Sequence, residues 1–459
     1  MKPRSLADIA QLIGGELLAP EAAGITASGA AIDSRLLRSG DLFFAIEAER
    51  DGHDFAANAL DAGAVAAVVK KGRSSVVAGP AIEVADPRRA LGQLATAIRE
   101  LESNTPAVAI TGSIGKTTTC GYVAALLAPL GPVYRPPGSF NNDLGVPLTI
   151  LGAPKDTAAL VLELGSNAPG EIAPLAKITG ASVGLVTAIA PAHLAELIDL
   201  AGVAREKLSL FGALPAPARG WVPTEYLAPA REQRAAVESF GEGGASHVVT
   251  RGRGRARWFF RGESYEFTWT PTFRHQRALL AAALAVAAEF GLEPETLLEL
   301  VPTLPEPPLR GEVRHLDGID LILDCYNSSP AALRSSLERL EDERALGRRL
   351  CVLGTMEELG RDEAKWHRDL GRRAGSRKID RIFVAGRGRT WYREGLSDVG
   401  REGVDVDLGD EGARAIANCL LPGDRVLFKA SRKERLERFA DRIAHYLSLR
   451  AELSEGNEP

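Results

Sequence analysis

The chain has 459 residues, 45% hydrophobic and 25% charged, which is ordinary for a soluble globular protein of about two to four domains. Its 55 basic and 60 acidic side chains leave a formal charge of −5, which speaks against nucleic-acid or anionic-membrane binding as a main task. No run reaches the roughly 18 uninterrupted apolar residues of a membrane span, and four scattered cysteines (Cys120, Cys325, Cys351, Cys419) suit neither a disulfide scaffold nor a zinc site.

Met1–Ser5 is not followed by an apolar h-region, so no signal peptide is expected and the expected compartment is the cytoplasm. Residues 1–104 read as a small α/β unit. Leu6–Ile13 has helical spacing and stops at Gly14-Gly15. Asp41–Ile46 and Ala64–Val69 are buried-strand candidates on either side of a helix over Phe55–Ala62. Ser103–Pro106 marks a boundary. A second α/β region, 105–306, opens with the apolar strand Ala107–Ile110 and continues with strands at 159–162 and 183–186. Residues 248–270 alternate arginines, aromatics and glycines as antiparallel hairpins do, and Ala278–Phe290 is an Ala-rich helix. Pro302, Pro305, Pro307 and Pro308 mark the second boundary. Region 307–459 again alternates strand and helix, with strands at 321–323, 350–353, 382–385 and 426–428, as in an open Rossmann-like sheet with a frayed end at 454–459.

The sharpest local signal is Thr111-Gly112-Ser113-Ile114-Gly115-Lys116-Thr117-Thr118, directly after a strand and opening a helical run. Glycines let backbone N–H groups turn toward phosphate oxygens, and the helix N-terminus adds positive potential. Lys116 is expected at the β/γ-phosphates and Thr117 at Mg²⁺. A strict Walker spacing places glycine at 110, where the chain has Ile110. The loop alone leaves kinase, GTPase, ATPase and ligase open. The Arg251–Arg255 stretch is short and the chain acidic, so an exposed hairpin is expected there rather than an RNA contact.

Several blocks in order narrow the choice. They are Asp33-Ser34-Arg35, Gly40–Phe43, Asp51–Phe55, Phe140-Asn141-Asn142-Asp143 through Thr149, Glu163–Asn167 with Gly170–Ile172, Ala192-His193-Leu194, Lys207, Asp324-Cys325-Tyr326-Asn327 with Pro330, Val352–Gly354 with Met356, Glu358–Gly360 and His367, and Gly423-Asp424 with Lys429, Ser431 and Arg432. With the shortened P-loop TGSxGKT they resemble the Mur ligases, ATP-dependent amide-forming enzymes of peptidoglycan precursor synthesis. Among these they are most similar to the UDP-N-acetylmuramoyl-tripeptide–D-alanyl-D-alanine ligase group.

The resemblance implies a three-domain α/β architecture. A small N-terminal UDP-binding domain precedes a central P-loop ATPase domain and a C-terminal Rossmann-like domain. It also implies a cytoplasmic, monomeric enzyme that joins D-Ala-D-Ala to UDP-MurNAc-tripeptide through an acyl phosphate. ATP, two Mg²⁺ ions and CO₂ as a lysine carbamate would serve it. Gly112–Thr118, His275, Arg310 and Asp324 would meet ATP. Thr117 and Glu163 would hold one metal, and His193 and carbamylated Lys207 the second; Lys116, Glu163, His193 and Lys207 form the implied catalytic set. Ser34 and Arg35 would contact uracil or phosphate, or else cap a helix with the arginine exposed. Asn141 and Asn142 would orient substrate, or make a turn. Tyr326, Asn327, Lys429, Ser431 and Arg432 would meet dipeptide or nucleotide, and Asp324 the ribose or the dipeptide.

Departures from the group's pattern are Cys120 for lysine, Gln276 and Leu279 for asparagines, Leu323, Ser328 and Ser329 within the DDxYNANP stretch, Thr355 for aspartate, Ala48 and Ala430 for glycines, and Ser209 for glutamate. They keep two alternatives in view, a ligase redirected to another carboxylate and amine, and a silent paralogue acting as a binding partner.

Overall fold

The computed structural model describes residues 1–455 apart from 137, 139, 191–196, 198, 252–253, 272 and 344. Three sheets organise it. In the first, Gly29–Ala31, Asp41–Phe44, Ala66–Lys70 and Ala81–Val84 run parallel, with Glu16–Leu17 antiparallel at one edge. The helix Pro87–Leu101 closes this unit. Asp86 caps it by accepting from the Arg88 and Arg89 amides, and Pro87 supplies a first-turn residue that needs no donor. Its buried face, Ala90, Leu91, Leu94, Ala95 and Ile98, follows the helical period and joins a core shared with Val146, Ile150 and Leu175 of the next unit.

The second sheet has nine strands. Val133–Tyr134, Ala159–Glu163, Ala107–Thr111, Val183–Val186, Arg219–Pro223 and Val237–Phe240 lie side by side and parallel. Ser246–Arg251 follows, and Arg255–Phe260 and Glu263–Thr268 complete the expected antiparallel hairpins. The central strands read as continuous apolar runs because helices cover both faces. One covering helix, Gln276–Ala288, buries ten of its thirteen residues, and its alanines let it lie close on Lys116–Leu126. Truncating Leu280 to alanine there would cost about 2–5 kcal/mol.

The third sheet orders Glu312–Leu316, Ile319–Leu323, Arg425–Lys429, Arg349–Leu353, Arg381–Val384 and Val404–Asp405, with the first antiparallel and the rest parallel. The helix Leu436–Glu455 continues through Ser454 and Glu455, where the sequence suggests fraying; 456–459 lie outside the described residues. No helix among the described residues is long and apolar enough to cross a membrane.

Register positions the chemistry. Ala107–Thr111 is flanked by Ala159–Glu163 and Val183–Val186, with Glu163 beside Ile110 and Val186 beside Thr111. The carboxyl ends of all three strands therefore open on one side, where parallel sheets place ligands.

Candidate active site

Gly112 (φ 143°) and Gly115 (φ 85°) give the loop after Thr111 its turn. A side chain at Gly112 would strike Thr187 Oγ1 at 2.1 Å, so this position requires glycine. The loop is braced from the neighbouring strand. Thr187 Oγ1 donates to the Ile114 carbonyl at 2.6 Å, and Ser113 Oγ donates to the Ala190 carbonyl at 2.9 Å. Lys116 begins the helix and donates from Nζ to the Gly112 carbonyl at 2.8 Å. Burial lowers its pKa, and Glu163 opposes that shift.

Glu163 ends its strand buried, beside the strand that leads into the loop. Its two oxygens accept from Thr117 Oγ1 and from Asn141 Nδ2, each at 2.9 Å. Thr117 and Glu163 are thus neighbouring hard oxygen donors beside a phosphate loop, a set that fits Mg²⁺. The apolar neighbour is Leu279, whose methyls would lie 2.9 and 3.0 Å from a Cβ on Gly115. Where the resemblance suggested a polar adenine contact, the chain has a buried wall.

Lys207 lies on the helix Leu200–Ala213, fully buried, and donates to Ser166 Oγ at 2.6 Å. Burial, reinforced by Lys116, pushes its pKa down to about 7. A neutral amine is the form that reacts with CO₂, so the site fits a carbamate's precursor. The preceding residue has no obvious sequence signal. Glu206 is buried and accepts from the amides of Gly170 (2.6 Å), Glu171 (3.0 Å) and Ile172 (2.7 Å), tying the Lys207 helix to the segment after Glu163. Ser209, where a glutamate was expected, donates to the Glu206 carbonyl at 2.7 Å. His193 lies outside the described residues.

A cleft of 1170 Å³ joins these groups to the third sheet. That exceeds the roughly 300–1,000 Å³ of a single small-ligand pocket. Arg310 reaches Thr117, and its guanidinium stacks on Tyr326 at 4.4 Å. Asp324, just beyond its strand, pairs with Lys429 at 3.0 Å and accepts from Ser336. Lys429 also donates to the Asn327 carbonyl at 2.8 Å. His275 also lines the cleft and meets Ser335 at 2.9 Å. Thr118, Asn141 and Asn142 line the cleft too, although Asn142 Oδ1 serves locally by accepting from the Gly145 amide at 2.8 Å.

Six expected residues among the described ones do not line the cleft; Gly112 and Lys207 touch it only through the lining residues Lys116 and Ser166. Ser34 and Arg35 belong to the first unit, and Arg35 points outward, paired with Asp33 at 2.6 Å. Ser431 is buried, with its amide on the Thr355 carbonyl. Arg432 stands 5.9 Å from the Tyr326 ring, behind the cleft-lining residues. A further cleft residue that the sequence does not mark is Arg88, which pairs with Asp143 through both nitrogens and so joins the first unit to the second.

The chain matches three family models. These are the Mur ligase family catalytic domain over residues 26–99, the Mur ligase middle domain over 110–286 and the Mur ligase glutamate ligase domain over 309–432. It is 30% identical over 447 residues to the UDP-N-acetylmuramoyl-tripeptide–D-alanyl-D-alanine ligase of Bacillus subtilis, covering 95% of this chain and 97% of that protein. The Mycobacterium tuberculosis protein of the same name is 32% identical over 499 residues, covering 96% and 97%. A crystal structure of MurF from Acinetobacter baumannii aligns with a TM-score of 0.88 at 26% identity, covering 97% of this chain and 99% of that one. MurF from Thermotoga maritima in complex with ADP aligns with a TM-score of 0.80 at 27% identity, covering 92% and 98%. The chain belongs to the Mur ligase family.

Proposed function

We propose that this member of the Mur ligase family joins D-Ala-D-Ala to UDP-MurNAc-tripeptide with ATP, through an acyl phosphate, in the cytoplasm. The observation that carries the reading is the convergence of Lys116, Thr117 and Glu163 at neighbouring strand ends, with Arg310 reaching them from beside the third sheet. The family likeness over almost the whole chain supports the substrates.

The tripeptide carboxylate attacks the γ-phosphorus of ATP, an O–P bond forms, and ADP leaves. Two anions approach each other in this step, so positive charge must be fixed in place beforehand. The amides of Gly112–Thr118 and the Lys116 ammonium hold the β/γ-phosphates. Asn141 keeps Glu163 oriented, and Arg310 adds charge beside Thr117. Thr117 and Glu163 would hold one Mg²⁺, with Lys207 as its carbamate and His193 holding a second. Bound Mg²⁺ would neutralise phosphate charge as the two anions meet. The neutral amine of the dipeptide then attacks the acyl carbon, a C–N bond forms, the C–O bond to phosphate breaks, and the nitrogen gives up one proton as phosphate leaves.

His275 and Asp324 serve the nucleotide end. Tyr326, Asn327 and Lys429, which line the cleft, serve the dipeptide end, with Ser431 and Arg432 behind them, and Ser34 and Arg35 serve the UDP end. The units 1–104, 105–306 and 307–459 act as the UDP-sugar, ATP and amine-accepting domains of a monomer. A ligase directed to a different carboxylate and amine is the second reading. It is supported by Thr355, whose hydroxyl accepts from the Gly388 amide at 3.2 Å where the group has aspartate.

The test is phosphate release from ATP with Mg²⁺, bicarbonate and UDP-MurNAc-tripeptide, with and without D-Ala-D-Ala. Dipeptide-dependent release, absent in Lys116→Ala, is expected. ATP binding without release for this dipeptide would favour the second reading.

A further inference from the structure

The loop after the strand Arg349–Leu353 is held from both sides. The Met356 amide donates to His367 Nε2 at 2.9 Å, while His367 Nδ1 meets the Glu363 carbonyl at 2.7 Å. His367 is fully buried, and burial lowers its pKa, which keeps Nε2 an acceptor. On the other side the Ser431 amide donates to the Thr355 carbonyl at 2.9 Å. Met356 and Leu359 are buried. Between them Glu358 takes a left-handed backbone conformation, φ 64°. A side chain there is strained where glycine would not be, and such strain concentrates at functional positions.

Glu358 lines the cleft, and its carboxylate acts on Lys116, favouring the charged lysine. A carboxylate residue from the third unit thus shares the cleft with the lysine of the phosphate loop. The nucleotide, the attacking carboxylate and the acyl phosphate are all anions, and Glu358 repels each of them. The one cationic reactant is the ammonium of the incoming amine. We propose that Glu358 binds that ammonium and sets it against the acyl carbon, where the nitrogen gives up one proton to solvent before its freed lone pair attacks; this rests on the ligase reading above.

The experiment uses the full chain as Glu358→Gln and Glu358→Gly. It reads KM for D-Ala-D-Ala, KM for ATP, the Mg²⁺ requirement, and acyl phosphate trapped with hydroxylamine in the absence of dipeptide. Loss of a charge-assisted contact predicts a dipeptide KM raised roughly 10- to 100-fold in both variants. ATP KM, Mg²⁺ requirement and trapped hydroxamate should stay at the wild-type level. Glu358→Gly should also melt at or above the wild-type temperature, because glycine relieves the backbone. A merely structural glutamate would give the opposite pattern in that variant. An unchanged dipeptide KM would overturn the assignment. So would a shifted Mg²⁺ requirement, or a fall in hydroxamate equal to the fall in turnover. If the wild-type protein traps no hydroxamate and releases no dipeptide-dependent phosphate, the ligase reading itself fails, and this assignment fails with it.

Discussion

Arg310 Nη2 donates to Thr117 Oγ1 across 3.2 Å while the same guanidinium stacks on Tyr326 at 4.4 Å. One side chain beside the Pro302–Pro308 boundary therefore bridges the phosphate loop and the segment that follows the strand Ile319–Leu323 of the third sheet. Occupancy of the phosphate loop is therefore expected to bear on closure of the cleft. Hinge rotation near 302–310 should accompany binding of ATP and tripeptide. Small-angle scattering should show compaction with both ligands. Arg310→Ala should raise the ATP KM and reduce that compaction. Arg310→Lys should recover little of either, because an ammonium has neither the planar stack nor the forked donors.

Lys116 is held over its own loop, since Nζ donates to the Gly112 carbonyl. Burial already disfavours its charge, so the protein gives up stability to keep it there. Lys116→Ala should lower phosphate release by on the order of 10²- to 10³-fold, the loss seen when a preorganised transition-state donor is removed. Its melting temperature should equal or exceed the wild-type value. A drop in melting temperature parallel to the loss of turnover would mean that the lysine is structural.

The parts legible in the sequence are those in which chemistry and local geometry coincide. Gly112–Thr117 is contiguous, follows an apolar strand and starts a helix, so its geometry could be read in place. The hairpins over 246–268 were legible because their alternation has the strand period. Val133–Tyr134, Arg219–Pro223 and Val237–Phe240 were not; the first is only two residues long, and the other two carry proline, glycine or charge that hides the pattern. Glu206 and Ser166 were missed for another reason. Their roles come from residues 36 and 41 positions away, and neither has a local signal. Asn142 shows the converse: a residue of a functional block whose carbonyl oxygen is spent on its own turn.

Glu206 gives a stability prediction that its neighbours do not. Its carboxylate satisfies three consecutive amides at the start of the helix Ile172–Thr179. Negative charge at that position is favoured by the helix dipole as well as by the hydrogen bonds. Glu206→Ala leaves three inward-facing donors without their acceptor and should cost about 2 kcal/mol or more. Glu206→Gln keeps one carbonyl acceptor and should cost less. Chemical denaturation measures both. Turnover should fall in the alanine variant, because the segment carrying Ser166 would no longer be tied to the Lys207 helix.

Lys207 supplies the pH prediction. In the native protein its pKa is pushed down to about 7, against an ordinary 10.5 in the unfolded chain. Between those values the unfolded chain holds one more proton than the native one, so this group makes stability rise with pH across that window. Below about 7 both states are protonated and the full penalty of burying the charge is felt. Lys207→Met should therefore exceed the wild-type stability by most in mild acid, with the gap narrowing as pH climbs toward 10. The same titration bears on activity, since only the neutral amine takes up CO₂. Wild-type enzyme stripped of CO₂ should regain turnover on adding bicarbonate, faster at pH 8 than at pH 6, whereas Lys207→Met should not respond. Bicarbonate-independent turnover in the stripped wild-type enzyme would remove the carbamate from the mechanism and leave Lys207 as a buried partner of Ser166.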